Sequence, residues 1–396
     1  MVCPHTARKL ITQEFIKDQK QKIFADMKNF KLTILTLLMM GLSLPLITAQ
    51  EVEMVEEEAE ETGNTPLSIS GSVDVYYKLD FAGSEGAVGN ISGGENYTFF
   101  APDHNSFSIG MANVILEKTM GKTSFVGDLS FGPRGGSSSI GVESIADGSF
   151  HIQNLYVSHS FSDVVTLTAG FMGTFVGYEV ISPSANFNYS TSHLFSWGPF
   201  QNAGIKLDFA LSDRFGLMVG VFNDWNTYTD PTKGRDIGLQ LSYNVSDGSD
   251  IFLNFITGAD SGTEIDLTAG FQLTETFFLG VNAATYSSGD GELFGGGDSG
   301  FSGVALYPQL SITDDVSIGL RGELFSEKEI NDIFIGDYDE AASVFSLTLT
   351  ANVSAGPLTF IPEFRFDSGS QDIYIDSDGM AAASASQFLV AAVYSF

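Results

Sequence analysis

The chain has 396 residues, 43% hydrophobic and only 17% charged, with 43 Gly and 34 Phe spread along its length. So few charges are out of place in a water-soluble chain of this size. A formal charge of −31 argues against a nucleic-acid partner, which needs basic surface to displace counterions; a single cysteine, Cys3, excludes a disulfide framework and a cysteine metal site from all that follows it.

Residues 1–26 match no targeting pattern and read as an over-extended start, with Met27 the initiator. From Met27, Lys28 and Lys31 precede a charge-free run from Leu32 to Leu46, and Ile47-Thr48-Ala49 precede Gln50. This is the layout of a signal peptide over 27–49, cleaved after Ala49; the run is shorter than the roughly 20 residues that cross a bilayer as a helix. Removal of residues 1–49 leaves 11 basic against 46 acidic residues, a formal charge of −35. Residues 50–66 follow, with seven Glu between positions 51 and 61 and no core-forming pattern, and read as a disordered acidic linker in the periplasm.

At Leu67 the pattern changes. In "LSISGSVDVYYKLDF" Val73, Val75, Tyr77, Leu79 and Phe81 share one phase, while Asp74, Lys78 and Asp80 occupy the other. Alternation with the charges confined to one phase predicts a strand with one apolar and one wet face. The pattern returns with Asp128 in the third run, Lys206 and Asp208 in "NAGIKLDFAL", Glu264 and Asp266 in "TEIDLTAGFQL" and Arg321 and Glu323 in "VSIGLRGEL". Glu363, Arg365 and Asp367 continue it before the last run, "SQFLVAAVYSF".

Sixteen such runs are predicted: 67–81, 105–118, 123–132, 149–161, 164–177, 201–211, 215–223, 235–245, 250–257, 263–273, 276–286, 301–312, 316–325, 342–353, 357–367 and 384–396. Tight turns such as "TMGK", "LSDR" and "SAGP" take turns with longer polar connections, and one connection, near 257–263, breaks the rule by being short. This sidedness predicts an all-β, transmembrane, antiparallel up-and-down β-barrel of about sixteen strands in the outer membrane of a Gram-negative cell. A soluble sandwich would need a core larger than one domain sustains; lipid covers the apolar phase directly, and closure pairs every backbone group.

At "FVGYEVISPSANFNYSTSHLFSWGPFQNAG" and "SFSIGMANVILEKTMGKTSFVGDLSFGPRG" the chain resembles the OmpL-like beta-barrel porin family of Bacteroidetes and related Gram-negative bacteria. The remaining strands match that family only as generic alternation. The resemblance implies an outer-membrane porin and carries over no catalytic residue. Outer-membrane proteins in general end in an aromatic residue after alternating apolar positions, which the barrel-assembly machinery reads; Val390, Tyr394 and Phe396 fit that signal.

Few residues suit other chemistry. Only His104, His151, His159 and His193 remain after the leader, none in a spacing that suggests a nucleophile's base, so no catalytic residue is assigned. No His or acid cluster has metal spacing: the Asp pair of "ITDDVS" serves a tight turn, and "GDGELFGGGDSG" reads as a flexible outer loop. No cofactor is expected.

The connection from 178 to 200 is the third outer loop and holds Glu179, Asn186, Asn188, Tyr189, His193 and Trp197. By analogy with general porins it would fold inward and narrow the pore; a lid packed on the rim is the other reading. The expected activity is passive diffusion of small hydrophilic solutes, with cations preferred because acids outnumber bases on the wet phase. The alternative is a surface-displayed binding or adhesion barrel without an open channel, and an enzyme ranks third. The expected partners are outer-membrane lipid, the assembly machinery and the solutes, with a homo-oligomer left open.

Overall fold

Each predicted run is a strand in the computed structural model, which describes residues 64–81, 100–135, 150–230, 234–289, 299–328, 341–378 and 380–396. The first half of the barrel is β1 (Ser68–Asp80), β2 (Ser106–Met120), β3 (Thr123–Phe131), β4 (Phe150–Ser160), β5 (Val165–Gly173), β6 (Gln201–Ala210), β7 (Phe215–Phe222) and β8 (Asp236–Ser246). The second half is β9 (Ser249–Gly258), β10 (Gly262–Gln272), β11 (Phe277–Ser287), β12 (Gly300–Ser311), β13 (Val316–Glu327), β14 (Ser343–Ala355), β15 (Leu358–Gly369) and β18 (Ser384–Ser395). A small hairpin, β16 (Tyr374–Ile375) and β17 (Ala381–Ala382), stands apart in the last outer connection. Two residues per strand are too few for any alternation to show.

The sheet is a closed sixteen-strand antiparallel barrel. At the seam β1 pairs with β18, placing Tyr77 opposite Val390 and Leu79 opposite Phe388. Phe396 extends the pairing beyond the strand, exchanging backbone hydrogen bonds of 3.0 and 3.1 Å with Gly71. Closure leaves no edge, and so no row of unpaired N–H and C=O groups in hydrocarbon.

The two phases separate by chemistry. Val73 and Val75 are 45% and 46% exposed on the outer wall, while Asp74 between them is 1% exposed on the inner. Val390, Tyr394 and Phe396 also project outward. Turns at one end are tight: in the β2–β3 turn Gly121 takes φ +58°, a left-handed conformation that side chains resist.

One boundary differs in an informative way. The run predicted over 164–177 ends as a strand at Gly173, because the chain leaves the wall at Thr174 and turns into the lumen. Residues 1–63, which hold the expected leader and all but the last residues of the expected acidic linker, and 290–298, most of the Gly/Asp connection, lie outside the described residues.

Candidate functional site

The inner phase meets a loop rather than bulk water. Of the thirteen charged positions singled out on the wet phase, eleven are buried; Lys206 and Asp208 are partly exposed and pair with each other at 3.1 Å. Most of the buried charges grip residues 174–200, the loop between β5 and β6, here called L3. Arg321 on β13 donates to the Glu179 carboxylate at 2.7 Å, to the Ser190 carbonyl at 2.5 Å and to the Thr348 hydroxyl at 3.2 Å. Arg365 on β15 donates to the Thr191 carbonyl at 2.8 Å, sits 3.0 Å from His193 Nε2 and is held by Asp367 through Nε.

The acids receive the loop's N–H groups. Glu363 accepts from the Tyr189 and Ser190 amides at 2.9 and 3.2 Å. Glu323 accepts from His193 and Leu194 at 2.9 and 2.8 Å, the first amides of α1 (His193–Trp197), which have no acceptor inside so short a helix. Ser192 caps the same helix, its hydroxyl accepting from Phe195 at 3.0 Å, and itself donates to Glu179. Asp266 on β10 accepts from the Gly177 amide at 3.0 Å and from the side-chain amide of Asn254 at 2.7 Å. Asp74 accepts from the Tyr189 hydroxyl; burial holds that phenol well above its ordinary pKa, so it stays a donor.

Asp128 is held by the amides of Asn113 and Asn154, each at 3.2 Å, and Lys78 donates to the Pro102 carbonyl at 2.8 Å. Asp80 lies beside His104, whose Nδ1 accepts the Asp80 backbone N–H at 2.8 Å. Glu264 is buried opposite Gly198 of L3.

Of the six loop positions singled out in the sequence, Glu179, Asn188, Tyr189 and His193 bond to the wall, while Asn186 bonds within the loop and Trp197 packs in an apolar cluster. Asn188 donates to Thr350 at 2.6 Å, Asn186 closes a turn on Val180, and Trp197 is buried in an apolar cluster. That cluster joins Leu194 and Trp197 of α1 to the inward rings of Tyr286, Phe301 and Phe325 and to Trp225 of the β7–β8 connection. L3 thus reaches from its roots on β5 and β6 to β1, β10 and β13–β15.

Two groups of residues went unnoticed in the sequence. Inward glycines form seats for L3 side chains: a Cβ on Gly238 would lie 2.6 Å from the Phe175 ring, on Gly319 2.5 Å from Phe187, and on Gly303 2.8 Å from Leu194, while Gly280 lies under the Tyr178 hydroxyl. The signal was present as glycine recurring on the charged phase. Arg134, just beyond β3, donates to the Ile181 and Tyr189 carbonyls at 2.9 and 3.1 Å and stacks 4.6 Å from the Tyr189 ring.

On the short-turn side of L3 the lumen includes hollows of about 350, 460 and 420 Å³ among the described residues. Burial and the Glu179 charge push Tyr178, which lines two of them, up to about 12.

A closed sixteen-strand barrel with an apolar outer phase and a loop folded through its polar interior is the architecture of an outer-membrane porin. Residues 66–396 match the family described as "Putative beta-barrel porin-2, OmpL-like", and the chain belongs to that family. No curated protein sequence matches it.

Solved structures share the fold. The outer membrane channel DcaP of Acinetobacter baumannii superposes with a TM-score of 0.54 at 12% identity, over 83% of this chain and 97% of that one. An anion-selective porin from Comamonas acidovorans gives 0.55 at 13%, over 84% and 99%. OmpT of Vibrio cholerae gives 0.51 at 12%, over 87% and 100%. At such identities the likeness shows the architecture alone.

Proposed function

We propose that this outer-membrane porin passes small hydrophilic solutes by passive diffusion, with L3 as the element that sets the size limit and with no catalytic cycle. The observation that supports it is the anchoring of L3 across the lumen by Arg321, Glu323, Glu363 and Arg365, four charged groups supplied by the wall. Swelling of liposomes that hold the purified protein, read across a series of solute sizes, tests it: a sharp cut-off supports the reading and no uptake of any solute ends it. Hydrolysis of lipid and peptide substrates by the same preparation tests the absence of catalysis.

Three finer readings belong to the same proposal. The acid excess on the inner phase favours cations; Val390, Tyr394 and Phe396 serve recognition by the assembly machinery; and residues 27–49 direct export. Cross-linking in native membranes would separate a single barrel from a homo-oligomer. A second reading, a surface binding barrel without a channel, draws support from the apolar cluster of Trp225, Tyr286, Phe301 and Phe325 inside the lumen. Single-channel conductance near zero would favour it.

A further inference from the structure

The glycine seats that hold L3 recur under a different loop. Gly369, at the outer end of β15, lies on the lumen phase, and a Cβ placed on it would lie 2.7 Å from the Ile373 side chain and 2.8 Å from the Gln371 carbonyl. The last outer connection, residues 370–383 and here called L8, therefore folds back over the inner face of the strand it has just left. Two of its side chains reach the lumen. Ile373 and Tyr374 are 7% and 6% exposed, and both join the apolar cluster that holds Leu194 and Trp197 of L3 together with Phe325, Val344 and Ala385 of the wall.

L3 and L8 are fastened by different forces. L3 is tied by a buried ion pair and by amides bonded to wall carboxylates, and undocking it leaves charges uncompensated in the lumen. L8 is tied at its roots, where the Ser370 amide donates to the Ser343 carbonyl at 2.8 Å and the Gly369 amide to the Ala383 carbonyl at 2.7 Å. Beyond the roots, bonds close within the hairpin: Tyr374 pairs with Ala382 and Ile375 with Ala381, and Asp376 accepts the amides of Asp378 and Met380, each at 2.9 Å. These bonds travel with the hairpin. Ile373 and Tyr374 add apolar contact, which has no preferred direction and breaks without stranding a charge. Ser377 and Asp378 at the tip are exposed, so a lifted hairpin meets water with polar groups foremost.

A segment with fixed roots, its own internal pairing and a non-directional latch can move as one body. We propose that L8 is a lid on the outer mouth of the barrel, closed by the seating of Ile373 and Tyr374, which lifts while L3 stays docked. The inference rests on the porin reading and concerns the regulation of the same lumen.

Thiol labelling of the detergent-folded barrel tests this without requiring conduction. In a Cys3→Ser background Val344→Cys is the reporter, because Val344 is 1% exposed in the lumen and pairs with Gly369, the seat of Ile373. Ile361→Cys is the control, 2% exposed in a cluster that includes Tyr189 of L3. A charged methanethiosulfonate reagent is expected to modify Val344→Cys slowly in the otherwise native protein. The rate is expected to rise about tenfold once Gly369→Val fills the seat or Tyr374→Ser removes the ring, with Ile361→Cys unchanged throughout. Heat-modifiable gel migration establishes that each variant is folded, and Gly369→Ala replaces Gly369→Val if the larger side chain prevents folding. An unchanged rate with the seat filled overturns the lid, even where Tyr374→Ser is faster, because a missing ring alone uncovers the thiol. Equal acceleration at Ile361→Cys overturns it as well, since L3 then leaves with L8. Conductance in potassium chloride, measured on the same preparation, decides the porin reading separately: current with unchanged labelling sinks only the lid, and accelerated labelling without current sinks only the channel.

Discussion

At the residue scale the inner wall carries two kinds of fitting, charge and absence. Arg321 and Glu179 are both almost fully buried, so removing one partner leaves the other uncompensated. Arg321→Met is expected to weaken the docking of L3 by about 3–5 kcal/mol, seen as raised protease sensitivity near Glu179 and larger, noisier conductance. The glycine seats predict the opposite kind of failure. Gly280→Val inserts carbon where the Tyr178 hydroxyl lies and is expected to cost about 1–3 kcal/mol of overpacking, lifting that part of the loop while the barrel stays closed. A fully native single-channel trace from this variant would refute the role given to the seat. Which charges face inward was legible in the sequence, because alternation of period two assigns each residue a face. Their partners were not: Arg321 meets Glu179, and Glu363 meets Tyr189, across more than a hundred positions, and no local pattern encodes such a distance.

Among the elements, L3 is the one whose removal tests structure and transport separately. The barrel's backbone pairing lies in its strands, so replacing residues 180–197 by a short Gly/Ser link should leave heat-modifiable migration intact and raise conductance severalfold. Unchanged conductance would show that L3 does not limit flow. All sixteen wall strands were readable from alternation to within a few residues, with the exception that matters most: β5 was expected to reach 177 and stops at Gly173. "GTFVG" keeps a strand-like sequence after the wall has ended because Val176 is buried and Phe175 partly buried there too, packed against apolar clusters in the lumen. Apolar character tells that a side chain is covered, and does not tell by what.

For the molecule as a whole, the charge asymmetry makes a prediction about ions. With more acids than bases on the inner phase, the reversal potential across a planar bilayer in a potassium chloride gradient is expected to have the sign of cation preference and to shrink as salt rises, since the Debye length falls from about 10 Å at 0.1 M to 3 Å at 1 M. A chloride-selective potential would show that the remaining basic groups control the passage. Architecture was the most legible level, because a lipid-facing phase and paired backbone leave few alternatives to closure. The contents of the lumen were the least legible, and the expectation of a wall lined by water gave way to a wall that holds its own loop.

The reach of L3 from β5 and β6 to β13–β15 has a mechanical side. A hollow hoop of sixteen strands flattens easily under lateral membrane pressure, but one spanned from wall to wall by hydrogen-bonded and charge-paired struts resists becoming oval. The same segment that is proposed to restrict flow therefore braces the cylinder, and any solute path around it would keep a constant shape as the surrounding lipid thickens or thins.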